Sequence, residues 1–107
     1  RLLSLLIIGY IDENYMKQAG LESISKAAGV SSQHLCRLFR QTLNCRPMEY
    51  ITKRKIKAAK MLLAETQKTV DQIVEETGFC DSSYFCKIFK RFESITPSQF
   101  RSIEQAL

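Results

Sequence analysis

The feature that most constrains this chain of 107 residues is an internal repeat. The stretch GVSSQHLCRLFRQTLNCRPMEYI, at residues 29–51, returns in altered form as GFCDSSYFCKIFKRFESITPSQFR, at residues 78–101. Matching positions are 49 residues apart as far as Phe79 and 50 residues apart from Cys86 onward, so one residue is inserted near residues 80–83. Periods of this length are typical of duplicated supersecondary units. We therefore expect one small arrangement of elements that is built twice.

Apolar residues recur with helical spacing in both halves, and no strand-like alternation stands out. Local signals bound the helices, because Ser, Thr and Asp side chains cap N-termini, proline fits the first turn and glycine ends a helix. These signals are Ser31, Asp81, the capping boxes Thr69–Gln72 and Thr96–Gln99, Pro47, Pro97, Gly29 and Gly78. We predict an all-α fold of seven helices, at residues 2–15, 21–28, 32–43, 47–64, 70–77, 82–92 and 97–105.

A short helix, a glycine turn and a longer helix follow one another in each half, which is the helix-turn-helix pattern. The predicted organisation is a first helix-turn-helix subdomain at residues 1–46, a linker helix at residues 47–64 and a second helix-turn-helix subdomain at residues 65–107. Residues 17–20 are expected to form a loop. Helical spacing assigns one face of each helix to the core. The expected core residues include Leu5, Ile8, Ile11, Tyr15, Ile24, Ala27, Ala28, Leu35, Phe39, Ile51, Ile56, Ala59, Leu63, Phe85, Phe89 and Phe92.

Basic residues are concentrated in the middle of the chain, although the net charge of the whole is +5. Residues 37–60 hold eight of the sixteen Lys and Arg residues against Glu49 alone, which gives a local net charge of +7. A block of this kind suits a polyanion such as nucleic acid. It also fits an ordinary solvated helix face, so charge alone leaves the partner open.

Composition argues against several other classes of protein. No apolar run approaches the roughly 20 residues needed to span a bilayer, so no membrane association is expected. The four cysteines include no C-x-x-C pair and His34 is the only histidine, so we predict no metal site and no cofactor. There is no glycine-rich phosphate loop and no Ser–His–Asp order, so we predict that the chain is not an enzyme.

The longer helix of each predicted unit has a face that the core does not use. This face carries Gln33, Cys36, Arg37 and Arg40 in the first unit and Ser83, Cys86, Lys87 and Lys90 in the second. Small or hydrogen-bonding groups lie near the N-terminal end and cations lie further along, as suits a helix in the DNA major groove. Periodicity alone leaves Gln33 and Ser83 open as ordinary surface residues. It also leaves the thiols of Cys36 and Cys86 open as inert groups or as redox sensors.

Residues 78–101 resemble the C-terminal signature of the AraC/XylS family of bacterial transcription regulators, in which G-F-x-D-x-S-Y-F-x-x-x-F-K is followed by x-P-x-x-[FY]-R. The stretches GVSSQHLCRLF and YITKRKIKAAKMLL resemble the first helix-turn-helix and the linker helix of the family. The sequence departs from the family at Asn44 and Ser94, where glycine is usual, and at Lys55, where arginine is usual. The positions that match the signature are Gly78, Phe79, Asp81, Ser83, Tyr84, Phe85, Phe89, Lys90, Pro97, Phe100 and Arg101.

The resemblance implies sequence-specific binding to double-stranded DNA, with two recognition helices in successive major grooves. The base-reading positions are then Gln33, Cys36, Arg37, Ser82, Ser83 and Lys87. Contacts with the DNA backbone are predicted for Ser31, His34, Arg40, Pro47, Lys53, Lys55, Lys90, Thr96 and Pro97. Glutamine and arginine can form bidentate hydrogen bonds with adenine and guanine, so we expect the first unit to read sequence more strongly than the second.

The resemblance also implies partners beyond this chain: an effector-binding or receiver domain, and RNA polymerase if the protein is an activator. The expected location is the bacterial cytoplasm, on the nucleoid. The alternative interpretation is a basic helical protein-interaction module without DNA specificity, in which residues 37–60 bind an acidic protein or an anionic membrane. Sequence preference and a linear dependence of log affinity on log salt concentration would distinguish DNA binding from this alternative.

Overall fold

The helix boundaries predicted from the caps agree with the computed structural model of the chain, which describes residues 2–14 and 21–107. The all-α class is confirmed, and each helix within the described residues ends within one residue of its predicted bounds. The predicted core position Tyr15 and the predicted loop at residues 17–20 lie outside the described residues. The helices are α1 (Leu2–Asn14), α2 (Leu21–Ala28), α3 (Ser32–Leu43), α4 (Pro47–Glu65), α5 (Val70–Thr77), α6 (Ser82–Glu93) and α7 (Pro97–Ala106).

The N-terminal caps are the ones that the sequence predicts. The Ser31 hydroxyl accepts a hydrogen bond from the backbone N–H of His34 at 3.1 Å, and the Asp81 carboxylate accepts one from the N–H of Tyr84 at 2.7 Å. Thr69 and Thr96 each form a complete capping box, with Gln72 and Gln99 as the returning side chains. Each cap satisfies backbone donors that a helix start leaves unpaired and typically contributes about 1 kcal/mol.

Four residues with positive φ angles stand at the ends of helices or in the turns that follow them. Gly29 and Gly78, with φ of 72° and 81°, stand in the turns that precede α3 and α6, where only glycine adopts this backbone without strain. Asn44 and Ser94, with φ of 54° and 69°, end α3 and α6 in the left-handed region. The two repeats therefore share their turn geometry as well as their helices.

The first of two compact units spans residues 1–54. Its core is formed by Ile7 and Ile11 of α1, Ile24 of α2, Leu35 and Phe39 of α3 and Ile51 of α4. Two predicted core residues are exposed instead. Leu5 is 65% exposed, because the buried pair Ile7 and Ile11 defines the inner face of α1 and Leu5 lies two residues, about 200°, from Ile7. Ala27 is exposed on α2 for the same reason, since Ile24 and Ala28 lie one turn apart and face inward.

The second compact unit spans residues 55–107 and has an aromatic core. Phe79 packs on Phe85, Phe85 on Phe89 and Phe89 on Phe100, with ring centroids 5.0, 5.7 and 5.5 Å apart. Such pairs contribute about 0.5–1.5 kcal/mol each beyond the area that they bury. The prediction that Phe92 is a core residue is wrong. It is 38% exposed, because it lies in the last turn of α6 while α7 covers the preceding turn through Phe100.

Helix α4 contributes to both cores. Ile51, near its start, is buried in the first unit, whereas Ile56, Ala59 and Leu63 are buried in the second. The C-terminal carbonyls of α4 and of the residue after it are capped by α7, since Arg101 and Gln105 donate hydrogen bonds to the carbonyl oxygens of Leu63 and Thr66 at 2.9–3.2 Å. The division into two subdomains and a separate linker helix stays a prediction.

Candidate nucleic-acid interface

The outer face of α3 brings the predicted base-reading residues of the first unit together. Gln33, Arg37 and Arg40 are exposed, and Cys36 is half-buried between them. These four side chains line one shallow concavity with Ser32 and Gln41. The inner face of the same helix is buried through Leu35 and Phe39. The helix therefore separates an apolar inner face from an outer face of hydrogen-bonding and cationic groups.

The outer face of α6 is similar but offers fewer directional groups. Ser83, Lys87 and Lys90 are exposed, and Ser82 is half-buried at the first position of the helix. Cys86 is half-buried and packs against the core of the second unit. This face therefore presents one hydroxyl and two ammonium groups, whereas α3 presents an amide and two guanidinium groups.

The predicted backbone-contact residues occupy the helix starts and the outer faces. The Ser31 hydroxyl caps α3, and His34 is half-buried in its first turn. The rings of Pro47 and Pro97 are buried, and Thr96 caps α7. A phosphate at the start of α4 or α7 would therefore contact backbone N–H groups that follow the proline, where the partial positive charge of the helix lies. In α7 this leaves the N–H of Ser98, because the N–H of Gln99 already donates to the Thr96 hydroxyl.

The basic block of the sequence divides into exposed cations and cations held within the protein. Lys53 and Lys57 of α4 are exposed and lie one turn apart. Three other α4 cations have partners that the structure defines: Arg54 on Asp12 at 3.0 Å, Lys60 on Glu93 at 3.0 Å, and Lys55 on the carbonyl oxygen of Gly78 at 2.9 Å. The local charge of +7 is therefore not a single surface available to a polyanion.

Among the lysines and arginines predicted to contact the DNA backbone, Lys55 is the one whose side chain is engaged inside the protein. Its side chain is half-buried, and its ammonium lies 5.6 Å from the centre of the Phe79 ring. Burial lowers the pKa of this ammonium below its ordinary value, and the neighbouring Cys80 opposes that shift only in part. The predicted phosphate contact by Lys55 would compete with its hydrogen bond to Gly78.

A second contact that the sequence did not suggest joins α1 to α4. Oδ1 of Asp12 accepts hydrogen bonds from the Tyr50 hydroxyl at 2.9 Å and from Nε of Arg54 at 3.0 Å. The Tyr50 ring also meets the Phe39 ring of α3 edge-on at 5.9 Å. Burial raises the pKa of Tyr50, and the hydrogen bond to Asp12 and the charge of that carboxylate raise it further.

Sequence reasoning missed these held cations because it counted charge along the chain without regard to helix face. A usable signal existed for Lys55, which lies four residues before the buried Ala59 and therefore at the edge of the apolar stripe of α4. Lys60 lies four residues after the buried Ile56 in the same way. Nothing comparable marks Asp12, whose partners lie 38 and 42 residues away.

Within residues 2–14 and 21–107, every helix is too short or too polar to cross a lipid bilayer.

Comparison with protein families adds a family assignment to this geometry. A family model described as a helix-turn-helix domain matches residues 24–103. The lactose operon transcription activator of Staphylococcus xylosus is 31% identical over 94 residues, which are 88% of this chain and 34% of that protein. The chain spans about a third of the length of this relative and of another curated relative of similar identity.

Solved structures show the same arrangement of helices. The C-terminal domain of the two-component response regulator yesN from Fusobacterium nucleatum is 33% identical and has a TM-score of 0.86, over 90% of this chain and 94% of that one. An AraC-type DNA-binding domain protein from Chromobacterium violaceum is 28% identical and has a TM-score of 0.84, over 92% of this chain and 88% of that one.

Proposed function

The chain belongs to the AraC-type family of helix-turn-helix domains, which are the DNA-binding domains of transcription regulators, and we propose that α3 and α6 are its two recognition helices. In this proposal each helix enters the major groove of double-stranded DNA, in successive grooves. Bases are read by Gln33, Cys36 and Arg37 of α3 and by Ser82, Ser83 and Lys87 of α6.

The observation that carries the proposal is the outer face of α3. Its exposed Gln33, Arg37 and Arg40 lie opposite a buried apolar face, so the helix can approach DNA without exposing its core. An amide matches the N6 and N7 groups of adenine, and a guanidinium matches O6 and N7 of guanine. Each such bidentate pair discriminates against the wrong base by about 1–3 kcal/mol. The first unit therefore supplies most of the sequence preference in this proposal.

The length of α4 supports binding to two successive grooves by one chain. Its 19 residues correspond to about 28 Å of helix, which is comparable to the roughly 34–36 Å between major-groove sites one turn apart. Most helix-turn-helix proteins reach two such sites as dimers. In this chain the duplication takes the place of a second subunit.

Contacts with the DNA backbone supply affinity and fix the register of the helices. The proposal assigns this role to cations beside the recognition helices and to the starts of α3, α4 and α7, where backbone N–H groups favour phosphate. The residues concerned are Ser31, His34, Arg40, Pro47, Lys53, Lys90, Thr96 and Pro97.

The activity of the whole regulator lies beyond the DNA-binding step. Because this chain spans about a third of its curated relatives, we propose that a signal-receiving domain accompanies it in a longer protein. The yesN relative is a response regulator by its description, which favours a receiver domain over an effector-binding one. The proposal includes RNA polymerase as a partner if the protein activates, no enzymatic step in this chain, and the bacterial nucleoid as its location.

Selection of bound sequences from a pool of random duplexes tests the function directly. We expect a site of two elements about one helical turn apart, with the stronger base preference in the element read by α3. Arg37→Ala should relax the preference at one position by roughly 5- to 150-fold. Lys53→Ala is the matched control, because loss of a phosphate contact should weaken all sequences about equally and make the log–log salt slope shallower by about 0.9.

The interaction-module alternative gives a different result in the same experiment. A basic module without DNA specificity would bind duplexes with a salt-dependent affinity but enrich no sequence. Recovery of the starting pool after several rounds, with Arg37→Ala indistinguishable from the unmodified chain, would overturn the proposed function.

A further inference from the structure

We propose that Lys55 is a positioning residue for the second recognition helix: its ammonium fastens the turn between α5 and α6 to α4, and it does not contact phosphate. The inference rests on the proposed function, because the position of α6 is read out in DNA binding. It replaces the backbone contact that the sequence predicts for this residue with a contact inside the protein.

The first observation is the hydrogen bond from Nζ of Lys55 to the carbonyl oxygen of Gly78 at 2.9 Å. Gly78 ends α5 in the left-handed region at φ 81°, and its own N–H returns to the carbonyl oxygen of Val74 at 3.1 Å. The N–H of Phe79 also bonds that oxygen, at 3.2 Å. The N–H groups of Gly78 and Phe79 therefore bond to α5, while the Gly78 carbonyl oxygen accepts its hydrogen bond from Lys55 of α4.

The second observation is that the same ammonium lies over the Phe79 ring, 5.6 Å from its centre. A cation on an aromatic face is attracted by the ring's negative face. Phe79 is 5% exposed and packs edge-on against Phe85 at 5.0 Å and on Tyr84 at 6.3 Å. Both partners belong to the first turn of α6, so the position of Lys55 is transmitted to the part of the helix that carries Ser82 and Ser83.

A phosphate contact would require Lys55 to abandon both partners. The Gly78 carbonyl would then lose its donor, and the ammonium would leave the ring of a buried side chain. Two exposed lysines on the same helix, Lys53 and Lys57, can meet a phosphate without breaking any contact of this kind. On α4, Lys55 is therefore engaged in a contact inside the protein, whereas the exposed Lys53 and Lys57 are available to DNA.

Lys55→Met tests the inference, because methionine keeps the apolar stem and removes the charge. The binding site of the unmodified chain is first determined, and single base substitutions are then measured for both proteins under each half-site. We expect base preference under α6 to fall roughly five- to tenfold, preference under α3 to be retained, and the log–log salt slope to stay unchanged. A variant that only loses stability would weaken binding to all sequences together, without selecting one half-site.

Lys53→Met is the matched control on the same helix. It should make the salt slope shallower by about 0.9 and leave base preference under both units intact. Lys55→Arg should restore preference under α6, since a guanidinium can donate to the same carbonyl oxygen. If Lys55→Met instead reduces the salt slope as Lys53→Met does and weakens all sequences alike, Lys55 is a phosphate contact and the inference is wrong.

A measurement on the unmodified chain covers the case in which Lys55→Met does not fold. NMR signals of the lysine side chains are followed during titration with the specific duplex. Lys53 should shift as it meets phosphate, whereas the ammonium of Lys55 should keep its free-state signal. A Lys55 shift as large as that of Lys53 overturns the inference. If no duplex is bound sequence-specifically, the proposed function fails, and a protected Lys55 ammonium in the free protein still identifies the internal contact.

Discussion

Asn44 and Ser94 end α3 and α6 in the left-handed backbone conformation, which residues with a side chain disfavour. Asn44 and Ser94 have φ of 54° and 69° at the ends of α3 and α6. An L-residue in this region costs about 1–2 kcal/mol relative to the right-handed conformation. Asparagine tolerates it better than most residues because its short polar side chain can bond locally. The strain is therefore greater at Ser94 than at Asn44.

Ser94→Gly should stabilise the second unit by about 1 kcal/mol, because glycine has no Cβ to strain at positive φ. Asn44→Gly, the equivalent change in the first unit, should give a smaller gain. Urea denaturation of the two variants and the unmodified chain measures the difference in the free energy of unfolding. A loss of stability in Ser94→Gly, or equal gains at both positions, would contradict the strain argument.

The most predictable part of the site is the set of side chains whose exposure depends only on their position on their own helix. Gln33 and Arg37 were assigned to the outer face from spacing alone, and both are exposed. Lys55 was not predictable in the same way, because its partner Gly78 lies 23 residues away. The side chain of a lysine at the edge of an apolar stripe can extend into solvent or lie against the protein. Only the packed structure distinguishes these two conformations.

At the scale of elements, the helices were predictable because their ends are encoded locally. The side chains of Ser31, Thr69, Asp81 and Thr96 each accept a hydrogen bond from a backbone N–H three residues later. The starts of α3, α5, α6 and α7 can therefore be identified from four consecutive residues. Burial was less predictable at exposed helix ends. Phe92 has the spacing of a core residue, but α6 has one residue left after it, and Phe92 is not among the residues packed against the core of the second unit.

Helix α1 is joined to α4 by the Asp12 carboxylate, and Tyr50→Phe tests that contact. Removing the hydroxyl should destabilise the first unit by about 0.5–1 kcal/mol at neutral pH, since one hydrogen bond to a partly exposed carboxylate is lost. The pKa of Tyr50 is raised in the folded protein. In the folded state the Tyr50 hydroxyl therefore keeps its proton at pH values above the ordinary pKa of 10.0. The stabilisation is fully present below pH 10.0 and is lost as the pH rises through the higher pKa of the folded state.

The measurement is urea denaturation of Tyr50→Phe and the unmodified chain at several pH values. The stability difference should be constant at neutral pH and shrink above about pH 10. Phe100, the equivalent residue of the second unit, is already phenylalanine. A difference that stays unchanged at high pH would show that the Tyr50 hydroxyl does not contribute through Asp12.

At the scale of the whole molecule, charge and repeat together predicted more than either did alone. The repeat indicated two equivalent outer faces, and both are present on α3 and α6. The local charge of +7 was a poorer guide, since Arg54, Lys55 and Lys60 are held by partners within their own units. Counting charge by sequence cannot separate cations that bind a polyanion from those that join helices.

Two recognition helices in one chain predict a strict dependence on the spacing of the two DNA elements. Inserting about five base pairs between them rotates one element by half a helical turn, so a single domain can no longer meet both. Affinity measured by fluorescence anisotropy should then fall to that of a duplex carrying only the element read by α3. Unchanged affinity for the half-turn duplex would exclude simultaneous contact by both helices.

Because α4 contributes residues to both cores, the same arrangement could in principle be repeated a third time. The helix closes one core through Ile51 and opens the next through Ile56, Ala59 and Leu63, and α7 starts with the same proline-led turn as α4. An α7 that continued for two more turns, with apolar residues at the positions that Ala59 and Leu63 occupy in α4, would be the founding helix of a third copy. This architecture therefore lends itself to concatenation: a third reading unit would need α7 extended in this way and a further pair of helices, equivalent to α5 and α6, packed on the extension.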